Sequence, residues 1–268
     1  MPDQSALTYC YDGSFDGLLC CVFESYDQKE IPGDILLLEP SQSLLFQSKE
    51  IITDLKKARR VLTSIPQKLG NDALNFIRRA FLTCLPRKEL HILLFLRKGY
   101  RHGPSVMGML ADDTVNTLYK AVKQLDNESH LLKGFVRFSL FNTVLTAIIE
   151  PKNYVLPLMA QHFCERFREE HFVIYDKNHG MALVYQPYKA SVIPVEELAL
   201  PQPDAQEQAY RELWKLFYNT IEIQGRHNPK CRMSHMPKRY WKYMTEFSDS
   251  QSQVPLQIKN ASSLLLPE

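Results

Sequence analysis

The chain has 268 residues, 45% hydrophobic and 11% aromatic, with 32 Lys and Arg against 30 Asp and Glu for a net charge of +2. So long and apolar a chain buries a sizeable core, as one large domain or two packed subdomains. Its near-neutral balance excludes recognition of nucleic acid or membrane by bulk charge, so an electrostatic partner needs a local patch. No apolar run approaches the ~18 residues that span a bilayer, and Met1 to Leu7 lacks a charged segment followed by an apolar one, so the expectation is a cytoplasmic protein without a membrane partner.

In chain order, Leu7 to Tyr11 reads as a short strand that DGSFDG turns into a helix, since Phe15, Leu18, Leu19, Val22, Phe23 and Tyr26 recur at helical spacing. From Ser43 to Asn127 the apolar period is helical and Pro66, Pro86 and Pro104 punctuate it, which predicts a layer of short helices. Basic pairs recur there, Lys56-Lys57, Arg59-Arg60, Arg78-Arg79 and Arg97-Lys98. They read either as the solvated side of amphipathic helices or as part of a basic groove.

Beyond Gly134 the period changes to alternation. GFVRFSL and VLTAIIE form one hairpin, PLMAQHFCERFREE a helix, and HFVIYD with MALVYQ a second hairpin, an antiparallel ββαββ element over 134–187. A Pro-rich connection leads to an amphipathic helix from Gln206 to Ile223, whose Trp214 and Phe217 are expected in the core, and 248–268 reads as a polar tail. The fold class is therefore α+β, with 1–247 read as one unit: a helical layer over 43–127, the ββαββ element, and a C-terminal helix with its basic segment over 206–247.

That basic segment holds six Lys or Arg between Arg226 and Lys242, namely Arg226, Lys230, Arg232, Lys238, Arg239 and Lys242, with no acidic residue until Glu246. The cations suit phosphates, while Tyr240 and Trp241 suit either base stacking or anchorage in the core, Trp241 being the expected anchor. His162 and Arg166, at i and i+4 on one helix, and Arg137 on a neighbouring strand form a second cationic candidate. It opposes a reading in which Arg166 pairs with Glu150 or Asp176. Asp12, Glu150, His162 and Asp176 are the candidate acids and bases.

Cofactor and metal sites have no signature here. The six cysteines contain no CxxC pair and read as reduced, mostly buried thiols; Cys231 and His235, at i and i+4, give too few ligands for a metal. Zinc-deaminase, phosphate-loop, radical-SAM and nucleophile-elbow patterns are all missing.

The ordered set YDGSFDGLL, ExHLLKGFVRF from Glu128, AIIEPKNYVLPLMAQHFCERF from Ala147, VIYDKNHG from Val173, LWKLFY from Leu213 and RHNPKCRMSHMPKRYWKYMTEF from Arg226 resembles one bacterial family. It is the "probable DNA metabolism protein" family, a domain of unknown function encoded beside radical-SAM proteins of DNA modification or repair and in some bacteria fused to a uracil-DNA-glycosylase-like domain. The resemblance runs from Tyr9 to Glu246 and is loose between Cys84 and Asn127. It implies an accessory DNA-repair or DNA-modification protein whose partners are DNA, single-stranded by preference, and a radical-SAM protein. The alternative is an enzyme acting on a nucleobase or phosphodiester in the manner of a glycosylase or hydrolase.

Overall fold

The computed structural model describes residues 7–38, 47–221, 223, 225 and 227–247. It is an α+β fold in which no helix among the described residues is long and apolar enough to cross a membrane. The chain divides into two compact units, Met1–Asn127 and Glu128–Glu268.

In the first unit, β1 (Thr8–Tyr11) is the middle of a three-stranded parallel sheet, between β2 (Asp34–Leu37) and β3 (Ser48–Glu50). All of β1 is buried, as suits a central parallel strand covered on both faces. The DGSF turn then delivers the chain into α1 (Phe15–Asp27). Ser14 caps the helix by accepting from Gly17 N, and Asp12 braces the turn by accepting from Ser14 N at 2.9 Å and Thr53 Oγ1 at 2.8 Å.

The helices α2 (Leu55–Leu69), α3 (Asn71–Phe81) and α4 (Lys88–His102) follow, then a 3₁₀ turn over Gly103–Gly108 and α5 (Asp113–Phe135). Ile65, Ile77, Leu93 and Phe95 meet Tyr9, Leu18 and Leu19 in one core. Two details correct the expected helical layer. Ser48–Glu50 is a strand, and α2 starts only at Leu55, because Asp54 caps it through Lys56 N at 2.7 Å. Pro66 lies within the last turns of α2, which closes at Gly70 with φ 92°. Residues 43–46 lie outside the described set. Cys10, Cys20 and Cys21 are buried thiols, whereas Cys84 is exposed.

The second unit is built on a five-stranded sheet in the order β4 (Ser139–Phe141), β5 (Val144–Ile149), β6 (His171–Asp176), β7 (Met181–Gln186) and β8 (Lys189–Pro194). The ββαββ order holds, but β5 and β6 pair in parallel, from Val144↔His171 to Ile149↔Asp176. The cause is α6 (Leu156–Arg166), which carries the chain back to the starting end of β5; only the hairpins are antiparallel. Gly134 and Phe135 close α5 rather than open a strand. The edge strand β8 follows the expected ββαββ element and is not among the expected strands; it is exposed throughout and ends at Pro194, where a missing donor is tolerated. Phe138, Phe163, Phe167 and Phe172 pack ring against ring between α6 and the sheet, at centroid separations of 5.2–6.5 Å.

The helix α7 (Ala205–Thr220) corrects a further expectation, since Trp214 and Phe217 are 39% and 52% exposed. Its polar side holds it. Buried Glu207 accepts from Leu140 N at 3.1 Å and from Arg211 Nε at 2.8 Å, and Arg211 Nη2 donates to Ser139 Oγ at 2.6 Å. The tail over 248–268 lies outside the described residues.

At Gly17 a methyl group would overlap the Asp12 carboxylate and stand 2.9 Å from Thr53 Oγ1. Gly17→Ala therefore breaks the brace under the first turn of α1. Chemical denaturation of the full chain is expected to show a loss of about 1–3 kcal/mol, the range for inserting a methyl into a packed site.

Candidate nucleic-acid interface

The basic segment begins with α8 (Pro229–His235), whose cap Asn228 accepts from Cys231 N at 3.0 Å and whose first residue is a proline, well suited to that position. A 3₁₀ stretch over Lys238–Tyr243 follows. Three residues in a row there take different directions. Tyr240 turns inward, 7% exposed, with its ring 5.5 Å from Phe135 and its hydroxyl donating to Glu128 Oε1 at 3.4 Å. Arg239 lies over the Tyr240 ring and brings Nη2 to 3.3 Å from the same carboxylate oxygen. Trp241 stays half-buried, so the core anchor is Tyr240 rather than Trp241, and the Tyr240 face is not offered for stacking.

Two further carboxylates take up positive charge. Glu150 Oε1 accepts from Lys242 Nζ at 2.7 Å and Tyr243 OH at 2.6 Å, with Lys177 at 3.9 Å. Arg137 grips Glu246 with both ends of its guanidinium, at 2.7 and 3.2 Å, and also donates to Gly134 O at 2.8 Å. The Trp214 indole donates to Glu246 at 3.1 Å, and Arg137 lies over its ring. Arg137, Arg239 and Lys242 are thus ion-paired to residues of the second unit itself.

What remains outward is a cation and ring cluster. Trp241 stacks on Phe247 with centroids 4.3 Å apart and planes at 17°; the Arg232 guanidinium lies 5.5–5.6 Å from both rings, and Lys238 lies 5.8 Å from Trp241. Lys230 is exposed on α8, and neither it nor Lys238 has a carboxylate partner among the described residues. Arg226 lies outside the described residues. Cys231 Sγ stands 3.7 Å from His235 Nδ1, with no third ligating side chain grouped with them among the described residues.

The expected His162, Arg166 and Arg137 trio is divided, because Arg137 is committed to Glu246. His162 and Arg166 do share α6, Arg166 exposed and lying over the Phe167 ring. Lys133, which enters the sequence reading only as part of the ExHLLKGFVRF motif, takes the place of Arg137. Burial, then the charges of Lys133 and Arg166, hold the His162 imidazolium below its ordinary range, so the ring is neutral at pH 7.

The four candidate acids and bases are distributed over both units. Asp12 belongs to the first unit; burial pushes its carboxyl up, but hydrogen bonds from Ser14 and Thr53 outweigh that and hold it below the usual aspartate value. Asp176 is fully buried with Oδ2 2.7 Å from His179 Nδ1. Glu150 borders a cleft with Arg137, Phe135 and Tyr240 that leaves about 20 Å³, room for about one water molecule. Neither His162 nor Asp176 lines that cleft.

Residues 86–246 match the family described as a domain of unknown function, DUF4130, and the chain belongs to that family. The match ends at Glu246, the carboxylate that Arg137 holds. A search among curated proteins gives no match.

The carboxyls of Glu150 and Glu246 carry a pH signature. Burial raises both, but hydrogen bonds from Lys242 and Tyr243 to Glu150, and from Arg137 to Glu246, outweigh it and place both below the ordinary value of 4.5. A carboxyl lowered in the fold binds fewer protons than in the unfolded chain. The stability it contributes is complete above 4.5 and is lost as pH falls from there through the folded value. Glu246→Gln is expected to cost about 3 kcal/mol at pH 7, because it leaves Arg137 facing a neutral group, and to flatten the pH dependence below 4.5 in urea unfolding followed by tryptophan fluorescence.

Proposed function

We propose that this DUF4130 protein is a non-catalytic accessory factor of DNA repair or modification, one that holds nucleic acid, and the radical-SAM partner that its sequence resemblance implies, while that partner carries out the chemistry. The observation that carries this reading is a division of labour among polar side chains. Asp12, Glu150 and Asp176, the carboxylates a glycosylase or hydrolase would need, are each engaged in hydrogen bonds or ion pairs. In contrast, Arg232 and Lys238 lie beside the Trp241 and Phe247 stack, and Lys230 is exposed on α8 of the same segment.

Such a surface recognises a strand through phosphates and exposed bases, so binding is weak, tolerant of sequence and sensitive to salt. Single-stranded DNA is the expected ligand, since a half-buried indole edge needs an unpaired base to meet it. Arg166 and Lys133 extend the cationic residues available on this unit, and the neutral His162 ring beside them can donate or accept a hydrogen bond. Arg239, Lys242 and Arg137 contribute less to phosphate binding, because each would first have to leave a carboxylate.

Fluorescence anisotropy with a labelled single-stranded oligonucleotide across a salt series tests the reading. Lys230→Ala with Lys238→Ala removes two cations that have no carboxylate partner among the described residues and is expected to reduce the magnitude of the log affinity against log salt slope by about 1.4, taking ~0.7 per phosphate. Unchanged affinity and slope in the folded double variant would remove nucleic acid from this surface. Co-purification with the radical-SAM protein at physiological salt tests the partner independently.

A further inference from the structure

The basic pairs of the helical layer are not absorbed by that surface. In the first unit, α1, α2 and the end of α4 enclose an open groove of about 530 Å³. This is within the size range of small-molecule sites and ample for a nucleotide. Its floor is apolar, from Val22 and Val61. One wall is a stripe on α2, Arg60, Ser64 and Lys68 at i, i+4 and i+8, its ends about 12 Å apart along the helix axis. The facing wall is aromatic: Phe23 and Tyr26 from α1 and Tyr100 from α4.

The rings are held in place by contacts behind and beside them. Tyr100 OH lies 2.6 Å from Ser64 Oγ, and its ring meets Tyr26 edge-on at 5.6 Å. Arg97 donates to Ser25 Oγ at 2.8 Å while its guanidinium covers the Tyr26 ring at 4.7 Å. Arg60 lies 5.7 Å from Phe23, and Lys68 lies 5.5 Å from Tyr100. Neither Arg60 nor Lys68 has a carboxylate partner among the described residues, and the lining includes a single carboxylate, that of Asp27. Lys57, one turn before Arg60, is by contrast held by Glu24 at 3.6 Å.

We infer that this groove is a second binding site, for a nucleotide: the phosphate between Arg60 and Lys68, the base against the Phe23, Tyr26 and Tyr100 wall. A bare anion would leave the aromatic wall unused, and an uncharged ring would leave two cations unpaired; a phosphate joined to a planar base uses both. Val22 to Lys68 lie outside the residues that the family model matches, and the site does not rest on the function proposed above.

The source is either a free nucleotide or a nucleotide within a single strand, and the test separates them. The full-length chain, labelled with ¹⁵N, is titrated with dAMP, deoxyadenosine, inorganic phosphate and a short oligodeoxyadenylate, following the amide signals of Tyr26, Ser64 and Tyr100. The expected result is that dAMP or the oligonucleotide moves these signals, and that deoxyadenosine and phosphate bind at least about tenfold more weakly than dAMP. Equal affinity for dAMP and the strand assigns the site to free nucleotide. Tighter binding of the strand assigns it to nucleic acid.

Arg60→Gln with Lys68→Gln, both exposed positions, is expected to weaken binding by about tenfold or more; should the pair impair folding, Arg60→Gln alone serves the same comparison. Lys230→Ala with Lys238→Ala should leave these shifts unchanged. The inference is overturned if neither dAMP nor the strand moves the groove signals, or if the shifts persist undiminished in a folded Arg60 variant. That outcome leaves the outward cluster of the second unit untouched.

Discussion

The buried carboxylate of Glu128 is the constraint on which the second unit depends. At 3% exposure an ionised side chain cannot be left to water, and its lone pairs are met from two distant parts of the chain. Lys152 N, Asn153 N and Asn153 Nδ2 reach it at 2.7–3.1 Å from the loop between β5 and α6. Arg239 and Tyr240 reach it from the C-terminal segment, more than a hundred residues on. One charge on α5 thereby fixes both where the parallel crossover begins and where the basic segment comes to rest. Removing the carboxylate would strand backbone donors at the loop and a guanidinium at the surface together, which makes Glu128 costlier to replace than an ordinary ion pair.

The same logic sorts the positive charge of the C-terminal segment. Carboxylates at 128, 150 and 246 each take a basic partner, at Arg239, Lys242 and Arg137. Of these pairs, Arg137 with Glu246 is the most protected, since the carboxylate is only 1% exposed and the guanidinium approaches it with two nitrogens. Lys242 with Glu150 lies nearer to solvent, where Coulomb attraction is screened and worth less. A run of cations in sequence is therefore two populations in space. One closes the fold, and the other, at Lys230, Arg232 and Lys238, has no carboxylate partner among the described residues.

How much of this is legible in the sequence depends on the range of the interactions. The strand, turn and helix around Asp12, the ββαββ order and the span of α6 are local patterns, and they appear where the period and the turn residues place them. The strand β3 is not legible: SKE has no alternating apolar residues, and it is a strand only because β1 lies beside it. The parallel pairing of β5 with β6 follows from the length and direction of a connection rather than from either strand. Tyr240 and Trp241 are adjacent aromatics in one basic run. Which of them is the anchor is decided by Phe135 and Glu128, and the partner of Lys242 lies 92 residues away. Trp214 shows the opposite limit. The amphipathic pattern of α7 is real, yet the helix is held through Glu207 and Arg211 on its polar side, a mode that hydrophobic periodicity does not encode.

A chain with a net charge of +2 has no field to steer a polyanion from a distance. At physiological salt the screening length is about 8 Å, so an unpaired cation acts on a phosphate only when the two are nearly in contact. Under that constraint, cations that double as ring neighbours are more useful than cations alone, because the aromatic surface supplies short-range attraction that salt does not remove. Arg232 and Lys238 beside Trp241, and Arg60 and Lys68 beside Phe23 and Tyr100, both have this form. Arg137, Arg239 and Lys242 also lie beside rings, but each is committed to a carboxylate. Arg60, Lys68, Arg232 and Lys238 differ from these in having a ring neighbour and no carboxylate partner among the described residues. Contact recognition of phosphate together with a base is the chemistry that such pairs favour.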